Sequence, residues 1–233
     1  DDLPKVSILT ITRNRKSYIN LMLKNWNGFD YPRDKLEWII LDDGSEDLTD
    51  VLPVADNIHY VKLEREDIKK FINMIDLSHL SNNQDKTKIS KKALNGKETD
   101  EKSELIQQYY LKTCRLPLGF KRDYGVNLCQ HDYIMHMDDD DFYQPNWIRT
   151  YIDNLLKHPD KGVIGSLVLP TLFMHERKDK RIIQLCEKEK DPKNVYPGSI
   201  GFTRSYYNNV GGFNEVEKEE VVEFANKGKM GER

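Results

Sequence analysis

The chain has 233 residues, 36 basic and 39 acidic, for a formal net charge of −3 at pH 7. That near balance excludes an electrostatic nucleic-acid binder, and the length suits a single α/β domain over residues 1–233. Cys114, Cys129 and Cys186 are far apart with no CxxC spacing, which excludes a cysteine-built zinc site and a disulfide framework.

Residues 5–11 (KVSILTI) are β-rich without turn residues and predict a buried central strand. Thr12-Arg13-Asn14-Arg15 interrupts it. Tyr18, Ile19, Met22, Leu23 and Trp26 then recur at helical spacing up to Gly28. Residues 36–41 (LEWIIL) predict a second strand that ends in Asp42-Asp43-Gly44-Ser45, with Ser45 or Asp47 set to cap a short helix. Residues 58–63 predict a third strand.

Residues 64–117 differ in character and read as an insertion into the α/β core. Ile68, Phe71, Ile72 and Ile75 mark an amphipathic helix, and Leu105, Ile106, Tyr109 and Tyr110 a second one. Between them, residues 81–102 are nearly free of apolar side chains. They predict an exposed, mobile loop, either plain solvated surface or a cover over a bound substrate.

A helix over residues 119–130 carries Lys121, Arg122, Asp123 and Asn127. Trp147, Ile148, Tyr151, Ile152, Leu155 and Leu156 form a helical stripe, with Pro145 near its start and Trp147 in the core. Residues 163–169 and 181–185 predict further strands, residues 197–212 are glycine-rich, and residues 215–224 are acidic. Strands alternating with helices imply a mostly parallel sheet.

The chemistry concentrates in residues 133–145 (YIMHMDDDDFYQP). An apolar run, read as a buried strand, ends in Asp138, Asp139, Asp140 and Asp141. Four adjacent carboxylates repel one another and cannot be buried unpaired. At the carboxyl end of a strand, where open α/β sheets place ligands, they fit a hard divalent cation, Mn²⁺ or Mg²⁺, carrying phosphate oxygens. The plain alternative is a solvated acidic turn. His136 and His175 are candidate imidazole ligands, although His136, on the strand, is better read as packed or hydrogen-bonded.

These segments together resemble the GT-A fold glycosyltransferases, family 2-like. Residues 6–15 (VSILTITRNR) are similar to that family's opening strand and T-x-N-R turn, with Ile11 where a proline is usual. Leu41-Asp42-Asp43-Gly44-Ser45 resembles its D-D-G-S turn, and Lys121-Arg122-Asp123-Tyr124-Gly125 its R-N-x-G helix with Asp123 in place of asparagine. Met137 to Asp141 resembles the D-x-D motif and Gly211-Gly212-Phe213 the G-G-F segment. The likeness runs from residue 5 to about residue 224, interrupted by residues 64–117.

The resemblance implies a Rossmann-like three-layer GT-A fold and transfer of a sugar from a UDP-sugar to an acceptor hydroxyl, with inversion. Asp140, helped by Asp138, would hold the cation. Thr10, Thr12, Asp42, Asp43, Arg122, Asp138 and Asp139 would bind the nucleotide sugar, with Asp42 alternatively bracing its own turn and Arg122 alternatively paired with the acidic turn. Lys121 would add charge near the pyrophosphate. Glu220, or less favourably Glu219, would be the general base. Arg204, Tyr206 and Tyr207 would face sugar or acceptor, or else be packing.

The acceptor would be a glycan, a lipid-linked glycan or a protein hydroxyl, with no nucleic-acid partner. No apolar run is long enough to span a bilayer, no signal peptide is visible, and the chain begins at Asp1 rather than Met. The expectation is a soluble domain, cytoplasmic or excised from a longer protein. Two other readings stay open. A sugar-phosphate nucleotidyltransferase normally has a glycine-rich loop after its first strand, which Thr12-Arg13-Asn14-Arg15 lacks. The other is a catalytically silent carbohydrate-binding domain.

Overall fold

The computed structural model describes residues 2–75, 99–167, 171–177, 180–186, 195–213 and 224–225. Three strands open the chain, β1 (Val6–Thr12), β2 (Leu36–Asp42) and β3 (Ile58–Lys62), with helix α1 (Ile19–Gly28) between the first two. Helices α2 (Arg65–Met74), α3 (Thr99–Thr113) and α4 (Leu118–Leu128) lead to β4 (Tyr133–His136) and α5 (Trp147–Lys157). There follow β5 (Val163–Leu167), β6 (Thr171–Arg177), β7 (Lys180–Cys186), β8 (Val195–Thr203) and α6 (Arg204–Val210).

Six strands make one sheet in the order β3-β2-β1-β4-β8-β5, and only β8 runs against its neighbours. β6 and β7 pair separately as an antiparallel hairpin. Alternation along the strands sends side chains to opposite faces. Val6, Ile8, Trp38, Ile40 and Met135 pack with Ile19, Met22 and Trp26 of α1 and Trp147, Ile148, Tyr151 and Ile152 of α5. Leu9, Ile39 and Ile134 meet Val126 of α4, Phe202 and Tyr206. A third cluster joins Leu41 and Leu63 to Ile68 and Ile72 of α2, Ile106 and Tyr110 of α3, and Leu116. The result is the expected α/β arrangement of helices on both faces of a mostly parallel sheet.

Several local expectations differ from what folds. Residues 45–57 form turns and bends rather than a helix, because Asp47 spends its carboxylate on the Thr49 amide at 2.8 Å in a local turn. Residues 99–102, expected in a loop, are the first turn of α3; residues 81–98 lie outside the described residues. The glycine-rich stretch is β8 followed by α6, which Thr203 caps by accepting from the Tyr206 amide at 3.1 Å. Gly201 sits mid-strand because a side chain there would press on Tyr151, 3.0 Å away.

A buried polar knot ties β1 and β2 to the turn before β4. Glu37 is 4% exposed. Its Oε1 accepts from the Ser7 hydroxyl and, at 2.6 Å, from the Gln130 amide, while the His131 amide donates to Ser7 Oγ at 3.0 Å. Removing a partner strands buried donors. Glu37→Ala should therefore cost about 2 kcal/mol and lower the melting temperature by roughly 4–8 °C in calorimetry, whereas Glu37→Gln, which keeps an acceptor, should lose much less.

Candidate active site

β1 lies between β2 on one side and β4 on the other, so successive connections leave it in opposite directions. The crevice outside the carboxyl ends of such a pair is where doubly wound sheets place ligands. Three acidic or polar strand ends converge there: Thr12 of β1, Asp42-Asp43 at β2, and the aspartates after β4.

The four aspartates are not equivalent. The Met137 amide extends the pairing with β1 by donating to the Leu9 carbonyl at 3.0 Å. The Asp138 amide donates to Tyr143 Oη at 2.8 Å, and that hydroxyl donates to the Gly198 carbonyl. Asn25 of α1 closes the turn, donating to the Asp141 carbonyl at 2.8 Å and accepting from the Tyr143 amide at 3.1 Å. Asp139 is driven inward, 8% exposed, where Thr12 Oγ1 donates to it at 2.6 Å. Burial raises its carboxyl above the usual range, Thr12 and Arg15 oppose the rise, and the charges of Asp140 and Asp138 add to it. Asp140 points outward and pairs with Arg15 at 2.8 Å.

The β1 turn also grips the second acidic turn. Asn14, in the left-handed region at φ 52°, accepts from the Ser45 amide at 2.6 Å and the Ser45 hydroxyl at 3.0 Å. Glycine is required at 44, because a Cβ there would lie 2.5 Å from the Asn14 nitrogen. Asp42 accepts from the Gly44 amide (2.7 Å), Tyr60 Oη (2.8 Å) and Lys62 Nζ (3.0 Å), so it braces its turn. Asp43 accepts from Lys121 Nζ at 3.0 Å and the Leu116 amide at 2.9 Å, and Arg13 lies 3.6 Å away. Arg13 also donates to the Thr113 and Cys114 carbonyls, each at 2.8 Å.

The other expected residues fall as follows. Thr10 is buried and accepts from Trp38 Nε1 at 3.0 Å. Lys121 is held by Asp43 rather than standing open toward a pyrophosphate. Arg122 is 4% exposed and donates to His136 Nδ1. That contact and burial hold His136 neutral, and its ring stacks on Phe213, so it is packed and hydrogen-bonded as the strand pattern implied. His175 lies on β6, its side chain outside the described residues.

Arg204 donates to the Cys129 carbonyl at 2.6 Å, Tyr206 to the Phe224 carbonyl at 2.8 Å and Tyr207 to Asp123 at 2.8 Å, so these three serve packing. Asp123 also accepts from the Phe213 amide at 2.9 Å, and so fixes the Gly211-Gly212-Phe213 turn. Glu219 and Glu220 lie outside the described residues; Phe213 and Phe224, on either side, stack at 4.1 Å. Burial pushes the Cys129 thiol up to about 12, so it is no nucleophile. Sequence reasoning missed Asn25, Tyr143 and Arg15; for Arg15 the signal was present, a cation following a strand end in a chain with an acidic turn.

Among the described residues no three His, Cys, Asp or Glu side chains converge into a complete metal cage. What the acidic turn offers is the outward carboxylate of Asp140 beside Asp138, next to an Asp139 carboxyl raised first by burial and then by the charges of Asp140 and Asp138. That donor set fits a hard divalent cation whose remaining positions are filled from elsewhere.

Residues 94–209 match the sequence profile of Glycosyl transferase family 2. Over 108 residues the chain is 26% identical to the glucosyl-dolichyl phosphate glucuronosyltransferase of Haloferax volcanii, covering 41% of this chain and 34% of that protein. Among solved structures, the mannosyltransferase PcManGT from Pyrobaculum calidifontis, in complex with GDP-Man and Mn²⁺, aligns over 98% of this chain and 52% of its own, with a TM-score of 0.58 and 15% identity. S. aureus TarS 1-349 in complex with UDP-GlcNAc aligns over 96% and 53%, with a TM-score of 0.55 and 15% identity. The chain thus spans about a third of the curated relative and about half of each solved structure. The matched profile includes the acidic turn; β1 and β2 are matched through the fold.

The buried Asp139 yields a stability prediction. Its raised carboxyl takes up a proton in the folded chain before it does so in the unfolded one. The folded state therefore carries a cost at neutral pH that declines as pH falls through the folded value and is gone below the unfolded one. Asp139→Asn, which still accepts from Thr12, should raise the melting temperature at pH 7 by roughly 2–4 °C, with the gain shrinking toward pH 4 in a thermal-melt series.

Proposed function

Because this chain is a family 2-like glycosyltransferase domain of the GT-A fold, we propose that it transfers a hexose from a UDP-sugar to an acceptor hydroxyl. In this reading transfer is metal-dependent and inverts the anomeric carbon. The observation that carries it is the convergence of Thr12, Asp43 and Asp139 at the one crevice where the strand order reverses. Solved relatives of the same fold support the choice of ligand, one with UDP-GlcNAc and one with GDP-Man and Mn²⁺.

Asp140 and Asp138 would hold Mn²⁺ or Mg²⁺, which when bound supplies positive charge against the leaving diphosphate. The chain's own residues do the rest. Thr10 and Thr12 offer the end of β1 to uracil and ribose. Asp43 keeps acceptor capacity beyond Lys121 and the Leu116 amide, since a carboxylate has about four lone-pair sites. Asp42 contributes indirectly, by fixing the turn that carries Asp43. Asp139, held by Thr12, would touch the ribose, and Arg122, buried against His136, and Lys121, paired with Asp43, would add positive charge toward the pyrophosphate. Glu220, with Glu219 as second choice, would take the acceptor proton, and attack opposite the diphosphate gives inversion. The acceptor class is a glycan, lipid-linked glycan or protein hydroxyl, and residues 1–233 act as one domain carrying residues 64–117 as an insertion.

Isothermal titration with UDP and Mn²⁺ tests the reading: binding should need the metal and be lost in Asp140→Ala. Metal-independent binding, or binding of GDP in preference to UDP, would overturn the corresponding part. Glu220→Gln should slow transfer or donor hydrolysis by roughly 10²–10⁴-fold with UDP affinity within twofold. Donor that binds but is never turned over by the wild-type chain, whatever acceptor is supplied, would instead make this a silent binding domain.

A further inference from the structure

Besides Arg13–Asp43, a longer contact at 3.6 Å, three cation–carboxylate pairs line the two acidic turns, and they differ in burial. Lys121–Asp43 is almost fully buried, with side-chain exposures of 3% and 0%. Lys62–Asp42 is nearly so, at 19% and 2%. Arg15–Asp140 is open, at 39% and 41%. The first two are fixed parts of the fold, because separating a buried pair leaves an uncompensated charge. The third can separate cheaply, because water replaces each partner.

Among the described residues, the Arg15 guanidinium makes one hydrogen bond, from a single nitrogen to a single Asp140 oxygen. It lies 4.9 Å over the Tyr18 ring, which keeps it at the mouth of the crevice. A guanidinium fork left mostly unused is also a ready bidentate partner for phosphate oxygens.

We propose that Arg15 is a placeholder cation: it occupies Asp140 until a divalent ion takes that carboxylate, then passes to the phosphates of the nucleotide sugar. This rests on the metal-dependent reading above and deepens it. The exchange makes metal and nucleotide mutually dependent. Metal alone must displace Arg15, whereas metal with a diphosphate gives Arg15 somewhere to go. By linkage, each ligand then strengthens the other by the same factor.

Electron paramagnetic resonance of free Mn²⁺, titrated with and without UDP, measures this without turnover. Arg15→Gln should bind Mn²⁺ alone about fivefold more tightly than wild type, and the factor by which UDP tightens Mn²⁺ should shrink by a similar amount. Arg15→Lys, which keeps the charge but not the fork, should bind Mn²⁺ alone like wild type, while UDP should tighten Mn²⁺ less than it does in wild type. Lys16→Gln removes one charge at the next residue, where Lys16 is engaged with Asp50 at 2.7 Å, and should change Mn²⁺ affinity less than about twofold. Arg15→Gln that melts like wild type yet matches Lys16→Gln, or binds Mn²⁺ more weakly, overturns the proposal. If wild type and Asp140→Ala alike bind no Mn²⁺ with or without UDP, the metal-dependent reading itself fails and Arg15 loses its role with it.

Discussion

The constraint on which this structure depends is the neutralisation of carboxylates at the end of β1. A parallel sheet whose order reverses there brings the ends of β2 and β4 to the same edge, and each end carries aspartates. Four consecutive residues meet that charge. Thr12 donates to Asp139, Arg13 to the Asp43 backbone, and Arg15 to Asp140, while Asn14 takes a left-handed conformation to hold the Ser45 turn. A buried carboxylate without such partners would cost several kcal/mol. The Thr12–Arg15 turn is therefore as much a part of the fold as of the site.

The same turn reaches further. Arg13 caps the carbonyls of Thr113 and Cys114 at the end of α3, and the Leu116 amide, three residues past that helix, donates to Asp43. Leu41 and Leu63 of the sheet region share a core with α2 and α3. The described part of residues 64–117 is thus bound to the second acidic turn by both polar and apolar contacts. A shift of α3 would be felt at Asp43 through Arg13, which is a physical route from that region to the crevice.

How much of this was legible in the sequence depended on the range of the interaction. The buried strands β1 and β2, each a short run without turn residues, and the helical stripe of α5 follow from local pattern, because burial dictates which side chains such an element carries. The acidic turn was legible because its chemistry is written in adjacent residues. β6 and the strand within the glycine-rich stretch were not, since glycine there reflects the approach of Tyr151 from another element. Nor could Lys121 be assigned to Asp43, and the bracing role of Asp42 could be read only as an alternative, because those pairings join residues 18 to 78 positions apart in the chain. Local pattern gives elements; the partition of neighbouring carboxylates between bracing and binding is decided by contacts across the sheet.

The two departures from the family pattern have physical accounts of this kind. Asp123 stands where asparagine is usual, yet the Tyr207 hydroxyl and the Phe213 amide, which bond its Oδ1, are donors. An acceptor is what the position needs, and a carboxylate supplies one more strongly than an amide does; burial and Asp123 keep the Tyr207 phenol protonated to donate. Ile11 stands where proline is usual, next to the last residue of β1 and paired with Leu41, and packs between two apolar clusters. It keeps a backbone N–H and a branched side chain where proline would provide neither. Both residues are thus built into the contacts around the end of β1 and the Gly211-Gly212-Phe213 turn.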